Sequence, residues 1–238
     1  PESYYTPPAE SLGQIQIIRG AASLQYGTQF GGLINFILKE PTNKKLELIT
    51  RNSVGSNKLY TNYTSISGKK KNFSFYSYYN YKKGDGFRDN SEYNSNNFYI
   101  HLSQKLSDKI KISGEVSYLK YLAQQAGGLS DRMFKINPLQ SNRERNWFQL
   151  DWLLYNFKLD HKLKNNNSLS FSFFGLDAAR NTIGFRSNRV DQIDPLTERD
   201  LIKGNFNNYG FEIKFLNNYK LFNRKSVFVI GGKYYRSK

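Results

Sequence analysis

From residue 45 onward, apolar and polar positions alternate with a period of two, the mark of strands that have two different faces. Residues 109–121 show it most clearly. Ile110, Ile112, Val116 and Tyr118 fall on one side, and Lys109, Lys111, Ser113, Glu115 and Ser117 on the other. Residues 168–175 set Leu169, Phe171 and Phe173 against Ser170 and Ser172. Residues 97–106 set Phe98, Ile100 and Leu102 against Tyr99, His101 and Ser103, and residues 209–221 set Phe211, Ile213 and Phe215 against Glu212 and Lys214. Further strands are predicted near 45–54, 59–67, 72–82, 147–163 and 226–235, giving about nine in all. Segment 147–163 is the least regular, because Leu153, Tyr155 and Phe157 intrude on its polar face, and a bulge is expected there.

Two-faced strands suit a soluble sandwich or a membrane barrel. Strand length and connection length separate the two. Several segments run to about ten residues or more, beyond the globular mean of about five or six and close to the roughly nine to eleven needed to cross a bilayer obliquely. The connections 68–72, 107–109, 164–167 and 222–225 are tight polar turns, whereas 83–96, 123–146 and 178–205 are long and rich in Gly, Asn, Asp and Arg. Only 55–58 is short on the long-loop side. Short turns on one rim and long loops on the other predict an all-β, transmembrane antiparallel barrel. Aromatic residues make up 16% of the chain. Tyr60, Tyr63, Tyr78, Tyr79, Tyr81, Tyr118 and Tyr121 are among those expected at the membrane interface. The mean hydropathy of −0.67 excludes a bundle of transmembrane helices and suits a barrel with a wet interior.

Ahead of these strands lies a different pattern. Apolar segments 15–19 and 33–38 flank a loop that carries Gly20, Gly27, Gly31 and Gly32. The ordered set Arg19, Gly20, Tyr26, Gly27, Gly31, Gly32 and Asn35, followed by Lys39, resembles the C-terminal half of the plug domain of TonB-dependent outer-membrane receptors. It departs at Ala21, where many members carry Pro. The resemblance implies that residues 1–41 are the C-terminal part of a plug domain and residues 42–238 the N-terminal part of the barrel. The resemblance implies about 22 strands in all, of which about nine are then present. The chain is expected to be a fragment, with the signal peptide, the TonB box and the first half of the plug upstream. Segments 29–36 and 124–129 look most similar to the ferric citrate receptor branch. The function implied is TonB-dependent uptake of a scarce ferric chelate, such as ferric citrate or another siderophore, across the Gram-negative outer membrane. The implied partners are outer-membrane lipid, the extracellular chelate and the TonB complex.

Charge and chemistry narrow this further. Lys and Arg total 35 against 19 Asp and Glu, a formal net charge of +16, and there is no cysteine. A basic, aromatic chain also suits a soluble nucleic-acid-binding β-protein, provided that Lys and Tyr share one surface. A passive porin or adhesin-type barrel would share the strands but would not need the glycine-rich module. Lysines crowd the short turns, where they are expected to be solvated charges that keep the rim in water. Arginines gather in the long loops. Arg132, Arg143, Arg145, Arg180, Arg186 and Arg189 are the candidate ligand-binding residues, because a guanidinium fork grips a carboxylate bidentately. Structural pairing, as for Arg88 with Asp89 or Arg199 with Asp200, is the competing role. No catalytic residue, metal site or cofactor is expected, and no enzyme: His101 and His161 stand on separate strands without partners at ligand spacing. Arg19 is expected to meet a lumen carboxylate such as Glu115, and Asn35 to face a polar partner.

Overall fold

A computed structural model of the chain describes residues 6–20, 31–164 and 167–238. After a 3-10 turn at Ala9–Ser11, strands β1 (Leu12–Ile18) and β2 (Leu33–Leu38) pair as an antiparallel hairpin. A second sheet follows, built from β3 (Glu47–Val54), β4 (Tyr60–Lys70), β5 (Phe73–Gly84), β6 (Tyr93–Lys105), β7 (Ile110–Gln124), β8 (Trp147–Lys162), β9 (Ser168–Ile183), β10 (Leu201–Leu221) and β11 (Arg224–Ser237). Its nine strands lie side by side in sequence order, every neighbour antiparallel, with β3 and β11 at the open edges. One short helix, α1 (Asp131–Ile136), capped by the Ser130 hydroxyl, sits in the longest loop.

The nine expected strands are the nine observed, and β6, β9 and β10 run further than the alternation indicates. Strand β9 continues to Ile183 and β10 begins at Leu201, so the expected 178–205 loop shrinks to 184–200. Beyond the apolar band the outer face turns polar with Asp177, Asn181, Asn205 and Asn207 while Ala178 is buried on the inner face, so the backbone ladder continues without the alternation. The bulge expected in 147–163 is absent. Strand β8 pairs without a slip from Trp147 to Lys162 on both sides. Leu153, Tyr155 and Phe157 are not intruders on the polar face. They lie on the apolar face opposite Tyr118, Val116 and Gly114. The irregularity comes from the other face, where Phe148 and Leu150 are buried at 8% and 1% exposure. Thr6 and Leu119 share a cavity with Leu150, so the segment before β1 lies against this part of the sheet.

Two adjacent cross-strand rows show what the register achieves. Phe75, Leu102, Gly114, Phe157, Phe173, Phe211 and Tyr234 stand in line across β5 to β11. One residue further along, the same strands align Tyr76, His101, Glu115, Asn156, Phe174, Gly210 and Tyr235. The first row belongs to an outer face that leaves Leu102, Phe157, Phe173 and Phe211 exposed by 39–45%. A contiguous apolar face of this size needs a nonaqueous neighbour. The second row belongs to an inner face on which Tyr63, Tyr76, Tyr78 and Tyr99 are buried, with Leu38 of β2 packed against them. Tyr63 and Tyr78 are therefore not at a membrane interface as the sequence suggests. They are core residues, with the Tyr63 and Tyr76 hydroxyls 2.7 Å apart and the Tyr78 and Tyr99 rings stacked at 5.4 Å. Tyr60, Tyr79 and Tyr81 remain on the outer face at the long-loop end.

The link between hairpin and sheet is fastened where it crosses β4. The Lys69 amide donates to the Lys44 carbonyl at 2.9 Å, and the Thr42 amide to the Ser67 hydroxyl at 2.8 Å. Gly68 makes this approach possible: a Cβ there would stand 2.5 Å from the Lys45 carbonyl oxygen and 2.9 Å from the Phe75 ring. Substituting Gly68→Ala should displace the linker and cost about 1–3 kcal/mol. The measurement is the denaturant midpoint of the detergent-folded protein together with the rate of tryptic cleavage after Lys44 and Lys45. An unchanged midpoint and rate would show that the linker is not held here.

Candidate functional site

The inner face and the hairpin enclose a cavity of about 590 Å³. Phe36 to Glu40, on and just after β2, form one side, and Tyr99, His101, Glu115, Asn156, Lys158 and Asp160 of β6 to β8 line the other. Period-two geometry brings the polar groups together, since His101, Glu115 and Asn156 are direct cross-strand partners. Glu115 is the hub. The Tyr99 hydroxyl donates to its Oε2 at 2.6 Å and the Asn156 amide to its Oε1 at 2.9 Å, while His101 Nδ1 stands 3.8 Å away. His101 Nε2 is buried without a partner among the described residues. Such an atom in a polar cavity is a natural water position.

The expected Arg19–Glu115 contact is not formed. Arg19 is exposed and follows β1 at the turn end of the hairpin, where Ile18 pairs with Leu33. Glu115 faces the opposite end, near Leu38, about 17 Å along the strand. Asn35 does face a polar partner, its amide donating to the Gln16 side chain at 3.1 Å directly across the hairpin. Of the glycines, Gly20 and Gly32 adopt positive φ. At Gly32 (φ +97°) a Cβ would also fall 2.7 Å from the Ile18 carbonyl oxygen, so the position is closed to other residues. Gly31 follows the ordinary range, and Tyr26 and Gly27 lie outside the described residues.

The loop arginines divide by role. Arg143 is 6% exposed and donates to the carbonyls of Asn142 (2.6 Å) and Gln192 (3.1 Å) and to the Ser187 hydroxyl. Arg145 pairs with Asp194 at 2.9 Å, and Arg199 pairs with the same carboxylate. Arg143 and Arg199 each stack on the Phe185 ring, 5.0 Å from its centroid. Loops 125–146 and 184–200 are thereby stapled together. Arg88 does the same for loops 85–92 and 125–146, donating to the carbonyls of Gln140, Gly127 and Ala126. Arg132 (on α1), Arg186 and Arg189 are exposed, and Arg180 lies on the inner-face row of β9 beside Leu150 and Gly204. Phe185 and Asp194 could not be picked out from the residues alone, because the arginines that join them to the other loop, Arg143 and Arg145, are remote in sequence. His101 and Glu115 were legible as inner-face positions from alternation alone.

An open nine-stranded wall, apolar outside and polar inside, with a hairpin seated on its inner face, has the architecture of part of an outer-membrane-type β-barrel. No protein-family model and no curated protein sequence matches the chain. Solved structures do match it. The ferric citrate transporter FecA in its unliganded form superposes with a TM-score of 0.79 at 17% identity, over 94% of this chain and 34% of that one. The pyoverdine outer membrane receptor FpvA of Pseudomonas aeruginosa PAO1, bound to pyoverdine, gives 0.77 at 16% identity, over 95% of this chain and 35% of FpvA. The ferric-catecholate import receptor Fiu of E. coli K12 gives 0.76 at 11% identity, over 95% and 39%. The chain thus has the fold of TonB-dependent siderophore and ferric citrate receptors, and spans about a third of their length.

Burial opposes ionisation of Asp194, yet hydrogen bonds from Arg145, the Leu196 amide and Arg199 outweigh it and hold the carboxyl below its ordinary 3.8. The staple is therefore at full strength above that value and is lost as acid protonates Asp194 through its lowered pKa. Hydrogen exchange of segment 184–200 should stay slow down to mildly acid pH and rise at more acid pH. In Asp194→Asn it should be fast at neutral pH. Equal protection in the variant and the parent would remove the staple from this account.

Proposed function

We propose that residues 1–41 are the end of a plug and residues 42–238 the start of the barrel of a TonB-dependent transporter. It imports an anionic ferric chelate across the Gram-negative outer membrane. The observation that carries this reading is the hairpin on the inner face. A passive porin or adhesin needs no such element, whereas a gated importer needs one that fills the lumen and can be pulled away. The polar cavity between β2 and the Glu115 network suits that role, because a wet, hydrogen-bonded boundary is easier to remodel than a dry apolar one. The structural neighbours are transport receptors, which agrees with a non-enzyme. Tyr63, Tyr76, Tyr78 and Tyr99 are buried inside the wall, away from the turn lysines, and so are not placed to stack a nucleic acid beside them.

For the ligand, exposed Arg132, Arg186 and Arg189 lie in the long loops and Arg180 on the inner face of β9 near them, and Arg143 and Arg145 hold the loops in shape. A chelate covered in carboxylate oxygens rewards bidentate donors in fixed orientation. In the full-length receptor, Arg180→Lys combined with Arg186→Lys should weaken binding of ferric citrate about tenfold or more. Lys69, Lys70 and Lys71 changed to Gln should leave it unaltered. Titration calorimetry on the purified receptor decides this. Unchanged binding in the arginine variant would dismiss the ligand site and leave the transporter reading standing.

The topology is tested separately. Tags at Asn142 or Asn188 should be reached by antibody on intact cells, and a tag at Lys70 only after permeabilisation. The reverse pattern would invert the barrel.

A further inference from the structure

At the long-loop end some cations are neutralised within the fold: Lys58 pairs with Asp85 at 2.7 Å, and Arg145 and Arg199 converge on Asp194, while Arg132 and Arg186 stay exposed. The cations of the short turns have no such carboxylate partners. The turns carry Lys69, Lys70 and Lys71 between β4 and β5, Lys105 and Lys109 between β6 and β7, Lys162 and Lys164 between β8 and β9, and Arg224 and Lys225 between β10 and β11. All are exposed, and among the described residues none is paired with a carboxylate. The only acidic residue in these turns is Asp108. Solvated lysines alone account for solubility of the rim but not for what stands among them.

Each of these turns also exposes one large apolar side chain. Phe73 is 39% exposed, Leu106 59%, Leu163 37% and Phe222 92%. Phe73, Leu106 and Leu163 occupy outward-facing positions, continuing the rows of Phe75, Leu102 and Phe157. Phe222 departs furthest from what water favours. It sits in a two-residue turn with Asn223, both at positive φ (45° and 63°), where Asn or Gly is usual and a bulky residue is strained. Neither the fold nor water gains from a phenylalanine there. An apolar wedge flanked by long cationic side chains is the arrangement that lies at a membrane surface, with the ring at the acyl boundary and the ammonium groups reaching phosphate.

We infer that the short-turn rim is a docking collar for anionic phospholipid headgroups of the adjoining leaflet. The wedges Phe73, Leu106, Leu163 and Phe222 enter the acyl boundary, and the unpaired turn cations hold the phosphodiesters. An acidic soluble protein would meet the cations but would leave the wedges in water, so the lipid is the partner the two features fit together. The inference rests on the membrane-barrel reading above.

The test uses the full-length receptor in vesicles of phosphatidylcholine alone or mixed with phosphatidylglycerol. After detergent extraction, the protein should retain phosphatidylglycerol several-fold above its share in the vesicle. High salt should abolish the enrichment, as should Lys69, Lys70, Lys71, Lys162 and Lys164 changed together to Gln, while the same set changed to Arg should keep it. In a second measurement, the Phe222→Trp emission should be quenched by brominated acyl chains. Retained lipid in the vesicle ratio with an unquenched Phe222→Trp overturns the collar. So does salt-sensitive capture of an acidic protein by a rim that enriches no lipid. Failure to enter either vesicle would instead overturn the membrane-barrel reading on which the inference stands.

Discussion

Backbone register is the constraint from which the rest of this structure follows. In an antiparallel sheet a slip of one residue exchanges the faces of an entire strand. Here the pairings run from β3 to β11 without a slip, so two rows one residue apart stay on opposite faces across β5 to β11 and differ in character across β5 to β8. One row is apolar and open to the outside. The other gathers Tyr76, His101, Glu115 and Asn156 into a wall that a polar interior can wet. Nothing else in the chain could place a carboxylate, an imidazole and an amide in a line without a dedicated loop to hold them.

The hairpin exploits that wall without sealing it. Leu38 packs on the tyrosine cluster, while the residues after it border a cavity large enough for water. Apolar contact fixes the position of the hairpin at one point, and hydrogen-bonded groups surround it elsewhere. The linker at Gly68 then fastens the chain to β4 just before the sheet begins. Seating is therefore firm at the exit and looser along the strand, which fits the proposal that the hairpin shifts while the barrel stays folded.

Much of this was legible in the residues, for reasons that differ by region. Alternation at 97–106 and 109–121 gave both strand and face, because one side meets an apolar medium and the other a polar one. It failed at 147–163, where Phe148, Leu150, Trp152 and Leu154 make the inner face apolar as well, and the period vanishes although the strand is regular. It also failed beyond Gly175 and before Tyr209, where the outer face turns polar and Ala178 is buried on the inner one. Asn35 could be read as needing a polar partner, since it interrupts an apolar strand. The partner of Glu115 could not, because the choice among Arg19, Tyr99 and Asn156 depends on where the hairpin comes to rest. The loop arginines show the same limit: residue type suggested ligand donors, and only the fold separates Arg143, spent on the carbonyls of a neighbouring loop, from the exposed Arg186.

The central claim is that the hairpin sits in the lumen and must move for transport. The 238 residues hold no cysteine, so Leu38→Cys and Tyr99→Cys, introduced together into the full-length receptor, add the only thiols in this stretch of the chain. Both positions line the same cavity. A short, reducible thiol-to-thiol crosslinker should join them in the folded protein. Uptake of the bound ferric chelate should then stop while binding persists, and reduction should restore uptake. Failure of the two cysteines to crosslink, or a crosslinked receptor that imports at the parental rate, would contradict the account.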